Sequence, residues 1–417
     1  MDALAELKWR GLIYAQTESL EDRLAKGPIT AYNGFDPTAP SLHVGHLIPA
    51  LNLARLMRLG HRPIAVVGGA TGMVGDPSGK SDERNLLDLE TIRHNAECIY
   101  AQLRQIIGED AQFVNNYDWL SEIGLLDFLR TTAKRFTVNY MIAKESVKKR
   151  IESEHGISFT EFSYMLLQAH DFLHLYENYG CELQCGGSDQ WGNIVAGVDL
   201  IRRKHPGSHA HGMVYPLLLT HDGQKFGKTE RGSVWLDPEM TAPYQFYQFW
   251  YNVPDASVID RLKTFTWLGE EQILALQDST VARPEKREAQ TVLAKELTRM
   301  IHGETAVDKA VRASQALFGG SLDGLTASEI AQIFADVPSA QIPKDELAGE
   351  GMSLIDLAAR VGAASSKSEA RRLLQQNGLY VNNLRPESDR VHIDQAIEGR
   401  FIALRRGAKQ YYLVELV

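Results

Sequence analysis

The chain has 417 residues, 44% of them hydrophobic, which is enough for two or three domains. Its formal net charge of −9 argues against a nucleic-acid partner for the chain as a whole, and no apolar run has the length needed to cross a bilayer. The N-terminus lacks a signal peptide's basic start, and the three cysteines form no disulfide framework, so we expect a reduced, cytoplasmic protein.

The front of the chain predicts a strand, a helix and a second strand. The apolar run from Ile29 to Phe35 indicates the first strand, and a turn containing two prolines follows it. Leu47, Leu51 and Ala54 then share one helical face, and the apolar run from Ile64 to Val67 completes the unit. Strand, helix and strand in this order are typical of a doubly wound parallel sheet.

A short polar motif, His43-Val44-Gly45-His46, stands where this helix begins. Imidazoles at a helix N-terminus can donate to phosphate oxygens beside the exposed backbone amides. The missing side chain of Gly45 lets a flat purine approach the main chain. The alternative is a zinc site, but no glutamate base and no nearby third ligand accompany the two histidines.

A second motif, Lys225-Phe226-Gly227-Lys228-Thr229, lies about 180 residues further along. Two lysines in a loop containing glycine can reach the β- and γ-phosphates, although such a pair alone is usually a solvated surface. Together the two motifs predict a clamp for the triphosphate of ATP. The segment from Gly75 to Ser81 resembles a phosphate-binding P-loop but is one residue short between its glycines, so we interpret it as a mobile substrate loop.

Two later segments carry candidate binding residues. Helical spacing places Tyr164, Gln168 and Asp171 on one face, where three polar groups could converge on a small ligand or could form a satisfied polar stripe. The segment from Gln184 to Gln190 predicts a glycine loop after a short strand. Its Asp189 suits a ribose diol, and a plain glycine turn is the alternative.

The tail of the chain is relatively basic. From Gly351 to Val417, ten Lys and Arg residues oppose seven Asp and Glu residues, a local charge of +3. Ser366 or Ser368 can cap a helix here, and Asn377-Gly378 predicts a turn into a strand. This helix is either an RNA-binding surface or a charged surface helix, and its outward basic residues are Lys367, Arg371 and Arg372.

These motifs resemble those of the bacterial tyrosyl-tRNA synthetases, class I aminoacyl-tRNA synthetases with a C-terminal S-four RNA-binding domain. The histidine and lysine motifs match the two class signatures, and matching stretches run from about Tyr32 to the C-terminus. The resemblance implies an α/β fold: a Rossmann-like parallel-sheet nucleotide-binding catalytic domain, a helical domain and a small α+β RNA-binding domain. The expected bounds are 1–235, with an inserted dimerisation region near 118–165, then 236–335, a linker at 336–351, and 352–417.

The resemblance also implies residue roles. Asp171 accepts the proton of the substrate phenol, and Tyr32 donates to its oxygen. The residues expected to hold tyrosine are Tyr32, Asp76, Tyr164, Gln168, Asp171 and Gln190. Those expected to hold ATP are Gly34, Asp36, Gly45, Gly187, Asp189 and Lys228. Those expected to act on the phosphates during catalysis are Thr38, His43, His46, Lys80, Arg84, Lys225, Lys228 and Thr229.

The implied partners are L-tyrosine, ATP with Mg²⁺, tRNA(Tyr) and a second copy of the chain, with no permanently bound cofactor, no protein metal site and no membrane. Asn33 departs from the family pattern, because many bacterial members have cysteine there. The cluster Arg202-Arg203-Lys204 is either an acceptor-stem contact or a solvated helix end. A ligase for another aromatic amino acid and a catalytically idle RNA-binding protein remain the alternative functions.

Overall fold

The computed structural model describes residues 3–78, 87–153, 156–218, 226–229, 232–317, 319–335, 337–407 and 410–417. The chain divides into two compact units, residues 1–240 with 254–289 and residues 241–253 with 290–417. Among the described residues no helix has both the length and the apolar character to cross a membrane.

Helices dominate both units. In chain order the α-helices are α1 (Ala3–Trp9), α2 (Leu20–Leu24), α3 (Leu47–Arg58), α4 (Leu89–Ile107), α5 (Tyr117–Leu120), α6 (Leu125–Thr131), α7 (Val138–Ile142), α8 (Glu145–Ile151), α9 (Phe159–Tyr179), α10 (Trp191–Lys204), α11 (Pro243–Tyr251), α12 (Asp255–Phe265), α13 (Glu270–Ala282), α14 (Glu288–His302), α15 (Glu304–Ala316), α16 (Ala327–Ile333), α17 (Leu354–Arg360) and α18 (Lys367–Gln375).

The strands are shorter. They are β1 (Ala15–Gln16), β2 (Thr30–Phe35), β3 (Arg62–Val67), β4 (Gln112–Asn115), β5 (Cys181–Gly187), β6 (His211–Tyr215), β7 (Lys228–Thr229), β8 (Gly232–Ser233), β9 (Ser339–Ile342), β10 (Met352–Ser353), β11 (Leu379–Val381), β12 (Arg390–Val391), β13 (Phe401–Arg406) and β14 (Gln410–Leu416).

A six-stranded sheet in the order β1-β6-β5-β2-β3-β4 forms the centre of the first unit. Strands β2 to β6 run parallel, and β1 pairs antiparallel with β6. The strands form where the sequence supplies short apolar runs, because a parallel sheet covered by helices is buried on both faces. The predicted strand-helix-strand unit at the front of the chain is confirmed as β2, α3 and β3.

Two long helices cover one side of this sheet and carry site residues. Ser158 caps α9 by accepting a hydrogen bond from the backbone N–H of Glu161 at 3.2 Å, and Gly180 ends the helix with a positive φ of 62°. Phe172 of α9 and Ile201 of α10 are fully buried and belong to one hydrophobic cluster with Tyr32 of β2. The packing therefore fixes α9 against the strand that leads into the histidine motif.

The region between β4 and α9 holds the short helices α5 to α8. Arg150 and Glu161, both almost fully buried, form an ion pair here with 2.6 Å between Nη2 and Oε2. Apolar side chains remain exposed on the same region, among them Leu125, Leu126 and Phe159 with 71%, 73% and 78% of their surface accessible. These short helices lie in the region near 118–165, where the resemblance implies an inserted dimerisation region.

A four-stranded sheet in the order β11-β13-β14-β9 forms the centre of the second unit. Because side chains alternate along a strand, Ile402 faces the cluster around α17 and α18, whereas Phe401 faces the cluster around α15 and α16. Strand β9 pairs parallel with β14 and buries Ile342 completely. It lies within residues 336–351, which the sequence predicted as a linker, so this part of that segment is instead a strand of the sheet.

The grouping of helices also differs from the sequence-based expectation. Helices α12 and α13 group with the six-stranded sheet, and α11, α14, α15 and α16 group with the C-terminal sheet. The helical region predicted at 236–335 is thus divided between the two units. Its predicted helical character is confirmed.

Candidate active site

The order of the central sheet reverses between β2 and β5, which are parallel neighbours. On one side β3 and β4 continue the sheet, and on the other β6 does. In open parallel sheets, ligands bind in the crevice outside the carboxyl ends of the strands at such a reversal. Asp36 and the 3-10 helix Ser188–Gln190 follow these two carboxyl ends directly, so the sheet brings two predicted site segments together.

One wall of the crevice contains a buried hydroxyl and a buried carboxylate. Asp171 accepts hydrogen bonds from Asn116 Nδ2 at 2.9 Å and from Trp119 Nε1 at 2.8 Å. Tyr32 is 2% exposed, and its hydroxyl has no hydrogen-bond partner among the described residues. Burial raises the pKa of Asp171 to about 7, and burial, with the neighbouring charge of Asp171, raises the pKa of Tyr32 well above 10. Tyr32 therefore stays a neutral donor.

A chain of hydrogen bonds joins this wall to Asp36. The Tyr164 hydroxyl donates to Asp36 Oδ2 at 2.8 Å, and Thr71 Oγ1 donates to Oδ1 at 2.7 Å. Asn116 uses Nδ2 twice, toward Thr71 Oγ1 at 2.9 Å and toward Asp171. These two hydrogen bonds engage both carboxylate oxygens of Asp36. Asp36, which the resemblance assigns to ATP binding, therefore lies in the same wall of the crevice as Tyr164. Burial is the largest cause that raises the pKa of Tyr164, so its hydroxyl keeps its proton.

A second polar group surrounds Asp76, which is 9% exposed. Its Oδ2 accepts from Gln190 Nε2 at 2.6 Å, and its Oδ1 accepts from the backbone N–H of Ser78 at 2.9 Å. Asn193 Nδ2 donates to Gln168 Oε1 at 3.1 Å and to Gln190 Oε1 at 3.3 Å. The structure thus brings together three residues predicted for the amino-acid substrate, Asp76, Gln168 and Gln190. A carboxylate with amide oxygens is a suitable set of acceptors for an ammonium group.

The histidine motif forms a 3-10 helix, Val44–His46, directly before α3. The backbone N–H of Gly45 donates to His43 Nδ1 at 3.0 Å, and the backbone N–H of His43 donates to His46 Nδ1 at 3.1 Å. The two imidazoles stack with 3.9 Å between ring centroids. Because both Nδ1 atoms accept, the neutral rings carry their proton on Nε2. Each ring can therefore donate Nε2–H to a phosphate oxygen.

The two predicted signatures meet in space. The backbone N–H of Val44 donates to the Val234 carbonyl at 3.0 Å, and the N–H of Val234 donates to the Gly227 carbonyl at 3.0 Å. A Cβ atom on Gly227 would lie 2.6 Å from Val44 Cγ2 and 3.5 Å from the Gly45 nitrogen. The close approach and a φ of 92° both require glycine here. The backbone beside the lysine motif is thus built onto the N-terminal turn of the histidine motif.

Four further predicted nucleotide-site residues lie at or just after the carboxyl ends of β2 and β5. Gly34 is exposed, and a Cβ atom there would meet nothing within 4 Å. A Cβ atom on Gly187 would lie 2.7 Å from Asp189 Oδ1, and Asp189 is half-buried. Thr38 is exposed on the turn after β2. The predicted glycine loop is shorter than expected, because β5 continues through to Gly187.

Several predicted catalytic residues cannot be placed. Lys80, Arg84 and Lys225 lie outside the described residues. The backbone of Lys228 and Thr229 forms β7, which pairs antiparallel with β8. For the second signature, the site is therefore described by the backbone of residues 226–229.

Sequence reasoning missed four residues of the site: Asn116, Trp119, Thr71 and Asn193. Asn116 follows the carboxyl end of β4, and Thr71 begins the 3-10 helix Thr71–Met73 after β3. Polar residues after parallel strands are a signal for both, because such strand ends share one edge of the sheet. Trp119 and Asn193 lie on helices, and no local pattern marks them.

The basic helix of the tail is α18. Ser366 caps it by accepting from the Glu369 backbone N–H at 3.2 Å, as predicted. Lys367 pairs with Asp356 at 2.8 Å, while Arg371 and Arg372 are exposed. Asn377 has a φ of 53°, which agrees with the predicted turn before β11.

The described residues contain no group of three or more His, Cys, Asp or Glu side chains arranged to hold a metal ion. The cysteines Cys98, Cys181 and Cys185 are free thiols. Burial raises the pKa values of Cys181 and Cys185 above the ordinary thiol value. Neither buried thiol is therefore ionised near neutral pH.

A parallel sheet with its site at the strand-order reversal, and two signatures that meet beside it, define a class I aminoacyl-tRNA synthetase. The family model for class I tRNA synthetases of the tryptophan and tyrosine type matches residues 24–319, and that for the C-terminal domain of tyrosine–tRNA ligases matches residues 329–414. The chain belongs to the bacterial tyrosine–tRNA ligases.

Curated relatives and solved structures agree with this assignment. The tyrosine–tRNA ligase of Roseiflexus castenholzii is 54% identical, and that of Geobacillus stearothermophilus is 50% identical, each over 99% of both chains. A C-terminally truncated mitochondrial tyrosyl-tRNA synthetase of Aspergillus nidulans is 31% identical with a TM-score of 0.68, covering 76% of this chain and 94% of that one. A tryptophanyl-tRNA synthetase of Encephalitozoon cuniculi, 16% identical with a TM-score of 0.54, shares the fold.

Proposed function

We propose that the crevice between β2 and β5 performs the family's reaction, the ATP-dependent ligation of L-tyrosine to tRNA(Tyr), with the residue roles given below. The observation that carries these roles is the hydroxyl of buried Tyr32, which lies near the Asp171 carboxylate and has no hydrogen-bond partner within the part of the chain that the structure describes. One donor and one acceptor match a phenol, whose oxygen accepts from Tyr32 while its proton goes to Asp171. Phenylalanine would leave the Tyr32 hydroxyl without an acceptor and would give Asp171 no further donor, which disfavours its binding.

The other end of the amino acid faces the second polar group. Asp76, Gln168 and the Tyr164 hydroxyl would surround the ammonium, and Gln190 would lie beside the carboxylate. Gln190 already contacts Asp76 at 2.6 Å, so one hydrogen-bond network reaches both charged ends of the substrate. This arrangement directs the substrate carboxylate toward the mouth of the crevice, where ATP would bind.

Activation then needs no protein nucleophile. The carboxylate of tyrosine is ionised at neutral pH and attacks the α-phosphorus of ATP in line, forming tyrosyl-adenylate and releasing pyrophosphate. The protein orients both substrates and places donors where negative charge moves onto the leaving group. His43 and His46 would donate through Nε2–H, with Thr38, Lys80, Arg84, Lys225, Lys228 and Thr229 as further phosphate contacts.

ATP would lie across the mouth of the crevice. Gly34 and Gly45 offer close backbone approach, Asp36 lies in the adjoining wall, and Gly187 with Asp189 would hold the ribose. Mg²⁺ would enter with ATP and neutralise charge on its phosphates. These substrates belong to the cytoplasm, which is the location we propose.

In the second step tyrosine passes to a 3′-terminal ribose hydroxyl of tRNA. Arg371 and Arg372 are exposed on α18, and Lys367 lies in its first turn, so this helix could contact RNA phosphates. At the end of α10, Arg202, Arg203 and Lys204 form a second basic cluster. Arg202 pairs with Asp199 and Lys204 pairs with Glu177, whereas Arg203 donates to the Arg135 carbonyl, so no carboxylate among the described residues competes with RNA for Arg203.

A homodimer is proposed for the region of α5 to α9. Several large apolar side chains are exposed there, which a stable chain in water rarely leaves uncovered. The most exposed are Leu125, Leu126, Val138 and Phe159. Sedimentation of wild type and of Leu126→Lys with Phe159→Lys tests this: we expect a dimer and a monomer, and a monomeric wild type at micromolar concentration contradicts it.

Pyrophosphate exchange into ATP tests the activation step. Wild type is assayed with tyrosine, phenylalanine and tryptophan, beside the variants Asp171→Ala and Lys228→Ala. We expect exchange with tyrosine alone, weakened by Asp171→Ala through tyrosine binding and by Lys228→Ala through the rate. Exchange with tryptophan would point to a ligase for another aromatic amino acid. No exchange with any of the three would point to an RNA-binding protein without catalysis.

A further inference from the structure

Arg261 lies on α12, outside both signatures, yet it contacts the second of them. Its guanidinium carbon stands 4.5 Å from the centroid of the Phe226 ring. Phe265, one helical turn further along α12, also contacts Phe226, with 6.1 Å between the two ring centroids and 29° between the ring planes. Arg261 is 7% exposed and Phe265 is fully buried. The Phe226 ring therefore packs against the guanidinium of Arg261 and the ring of Phe265, which lie on the same face of α12.

Helix α12 is itself anchored to α3, the helix that begins at the histidine motif. Arg55 of α3 donates through Nη2 to the Thr264 carbonyl at 2.6 Å and to the Thr266 carbonyl at 3.2 Å. Arg10 donates to the same Thr266 carbonyl at 3.1 Å and to the Leu268 carbonyl at 2.8 Å. These guanidinium groups satisfy carbonyls at the C-terminal end of α12, where the helix dipole also favours positive charge.

The two signatures are therefore joined by two routes. The direct route is the backbone contact between Gly227 and the turn of the histidine motif. The second route runs from α3 through Arg55 to α12, and from α12 through Arg261 to Phe226. A loop that is held on both sides keeps its backbone in one position relative to His43 and His46.

We propose that Arg261 is a positioning residue for tyrosine activation, which seats Phe226 and so sets the position of the lysine motif against the histidine motif. This inference rests on the proposed function of the two signatures. It goes beyond that function because Arg261 is not among the residues assigned to either substrate. A buried cation–π contact stabilises its partners by about 1 to 2 kcal/mol, which corresponds to about tenfold in a rate. Loss of the contact between Arg261 and Phe226 is therefore enough to lower the rate of tyrosine activation by about tenfold.

The test compares Arg261→Met with Arg261→Lys. Methionine keeps an apolar stem in the buried position and removes the cation, whereas lysine keeps a cation over the ring. We expect Arg261→Met to lower the exchange rate about tenfold with the dissociation constant of tyrosine within about twofold of wild type, and Arg261→Lys to recover most of the rate. A general structural defect would weaken tyrosine binding along with the rate.

Arg58→Met is the matched control. Arg58 is exposed and holds its guanidinium 3.5 Å from the Trp267 ring, a contact of the same kind that involves no described residue of the second signature. We expect its exchange rate to equal that of wild type. An Arg261→Met rate equal to wild type, or an equal loss in Arg58→Met, overturns the proposal.

Two further measurements test the contact between Arg261 and Phe226 itself. Phe226→Leu removes the ring and keeps Arg261, so this variant does not depend on the folding of Arg261→Met. Its exchange rate should fall about tenfold, adding Arg261→Met should lower the rate no further, and a Phe226→Leu rate equal to wild type overturns the proposal. Hydrogen exchange should also speed up in the amides of residues 226–229 and 232–236 in Arg261→Met, but not in α9. Because this readout needs no activity, it separates failure of the proposal from failure of the proposed function, which absence of wild-type exchange would reveal.

Discussion

Gly227 and Val44 approach so closely that a Cβ atom on Gly227 would lie 2.6 Å from Val44 Cγ2. These residues belong to the two signatures, and the contact is the point where the signatures touch. An atom at that distance forces backbone or side chain to move. The close approach of the two motifs therefore requires a residue without a side chain at position 227, and a substitution that adds a methyl group there tests this requirement.

Gly227→Ala should lower the rate of pyrophosphate exchange by at least about tenfold, because the added methyl group displaces the second signature from the first. Tyrosine binding should change little, since the tyrosine pocket lies on other residues. Gly232→Ala is the control: its φ of 102° is equally unsuited to alanine, but a Cβ atom there would meet nothing within 4 Å. Equal losses in the two variants would mean that backbone strain, and not the contact with Val44, explains the result.

Tyr32→Phe should weaken tyrosine binding while leaving the unfolding free energy unchanged or slightly higher. The Tyr32 hydroxyl is buried without a partner among the described residues, so its removal deletes no described hydrogen bond. Tyr411→Phe is the matched variant, since that hydroxyl contacts the Ala316 carbonyl and Asn383 Oδ1, both at 2.8 Å. It should cost about 1 to 2 kcal/mol in denaturant unfolding and leave tyrosine binding intact. A large loss of stability in Tyr32→Phe would contradict this assignment.

Stability should depend on pH through Asp171. Burial raises its pKa from 3.8 to about 7, so the folded chain keeps a proton here that the unfolded chain releases above about pH 4. The unfolding free energy should therefore fall between pH 4 and 7, by at most about 1.4 kcal/mol per pH unit for this group, and level off above pH 7. Asp171→Asn has no such titration. The difference in unfolding free energy between wild type and this variant, measured across the pH range, should therefore show this slope. A difference that is constant across this range would rule the shift out.

Tyrosine binding should follow the same group in the opposite sense. The ionised carboxylate accepts the phenolic proton, so the dissociation constant should decrease as the pH rises from about 6 to 8. Equilibrium dialysis with labelled tyrosine measures this directly. The Asp171→Asn variant should bind weakly, with no dependence on pH in this range, and a pH dependence that persists in the variant would assign it to another group.

Asn383→Ala should destabilise the second unit. Nδ2 of Asn383 donates to the carbonyls of Ala316 at 2.7 Å and Gly320 at 2.8 Å, and φ is 64°. Asn377→Ala is the control, because Asn377 has a similar φ of 53° but is exposed. Both variants carry the strain of a positive φ, so the additional cost in Asn383→Ala, about 2 kcal/mol by urea unfolding, reports the buried hydrogen bonds. Equal costs would mean that these bonds contribute nothing.

Local sequence patterns predicted an element correctly where its apolar residues recur on one face, because that face is the one buried. The periodicity of Leu47, Leu51 and Ala54 predicted α3, and all three are buried. The prediction of a linker at 336–351 was wrong for residues 339–342, which form the edge strand β9. An edge strand can be short and mostly exposed, and in β9 Ile342 is the residue that is fully buried. Likewise the glycines before Asp189 suggested a loop, whereas pairing with β6 extends β5 to Gly187. Pairing with a distant strand leaves little trace in the strand's own sequence.

Residue spacing was enough to predict the chemistry available to this protein: histidines at a helix N-terminus, lysines beside a glycine, and a helix with Tyr164, Gln168 and Asp171 on one side. Those features depend on spacing within one element, which the covalent chain dictates. The hydrogen bonds from Trp119 and Asn116 to Asp171, and the contact between Arg261 and Phe226, follow from the three-dimensional packing alone. Such contacts join residues far apart in the chain, and which of them form depends on the packing of the whole sheet and its helices.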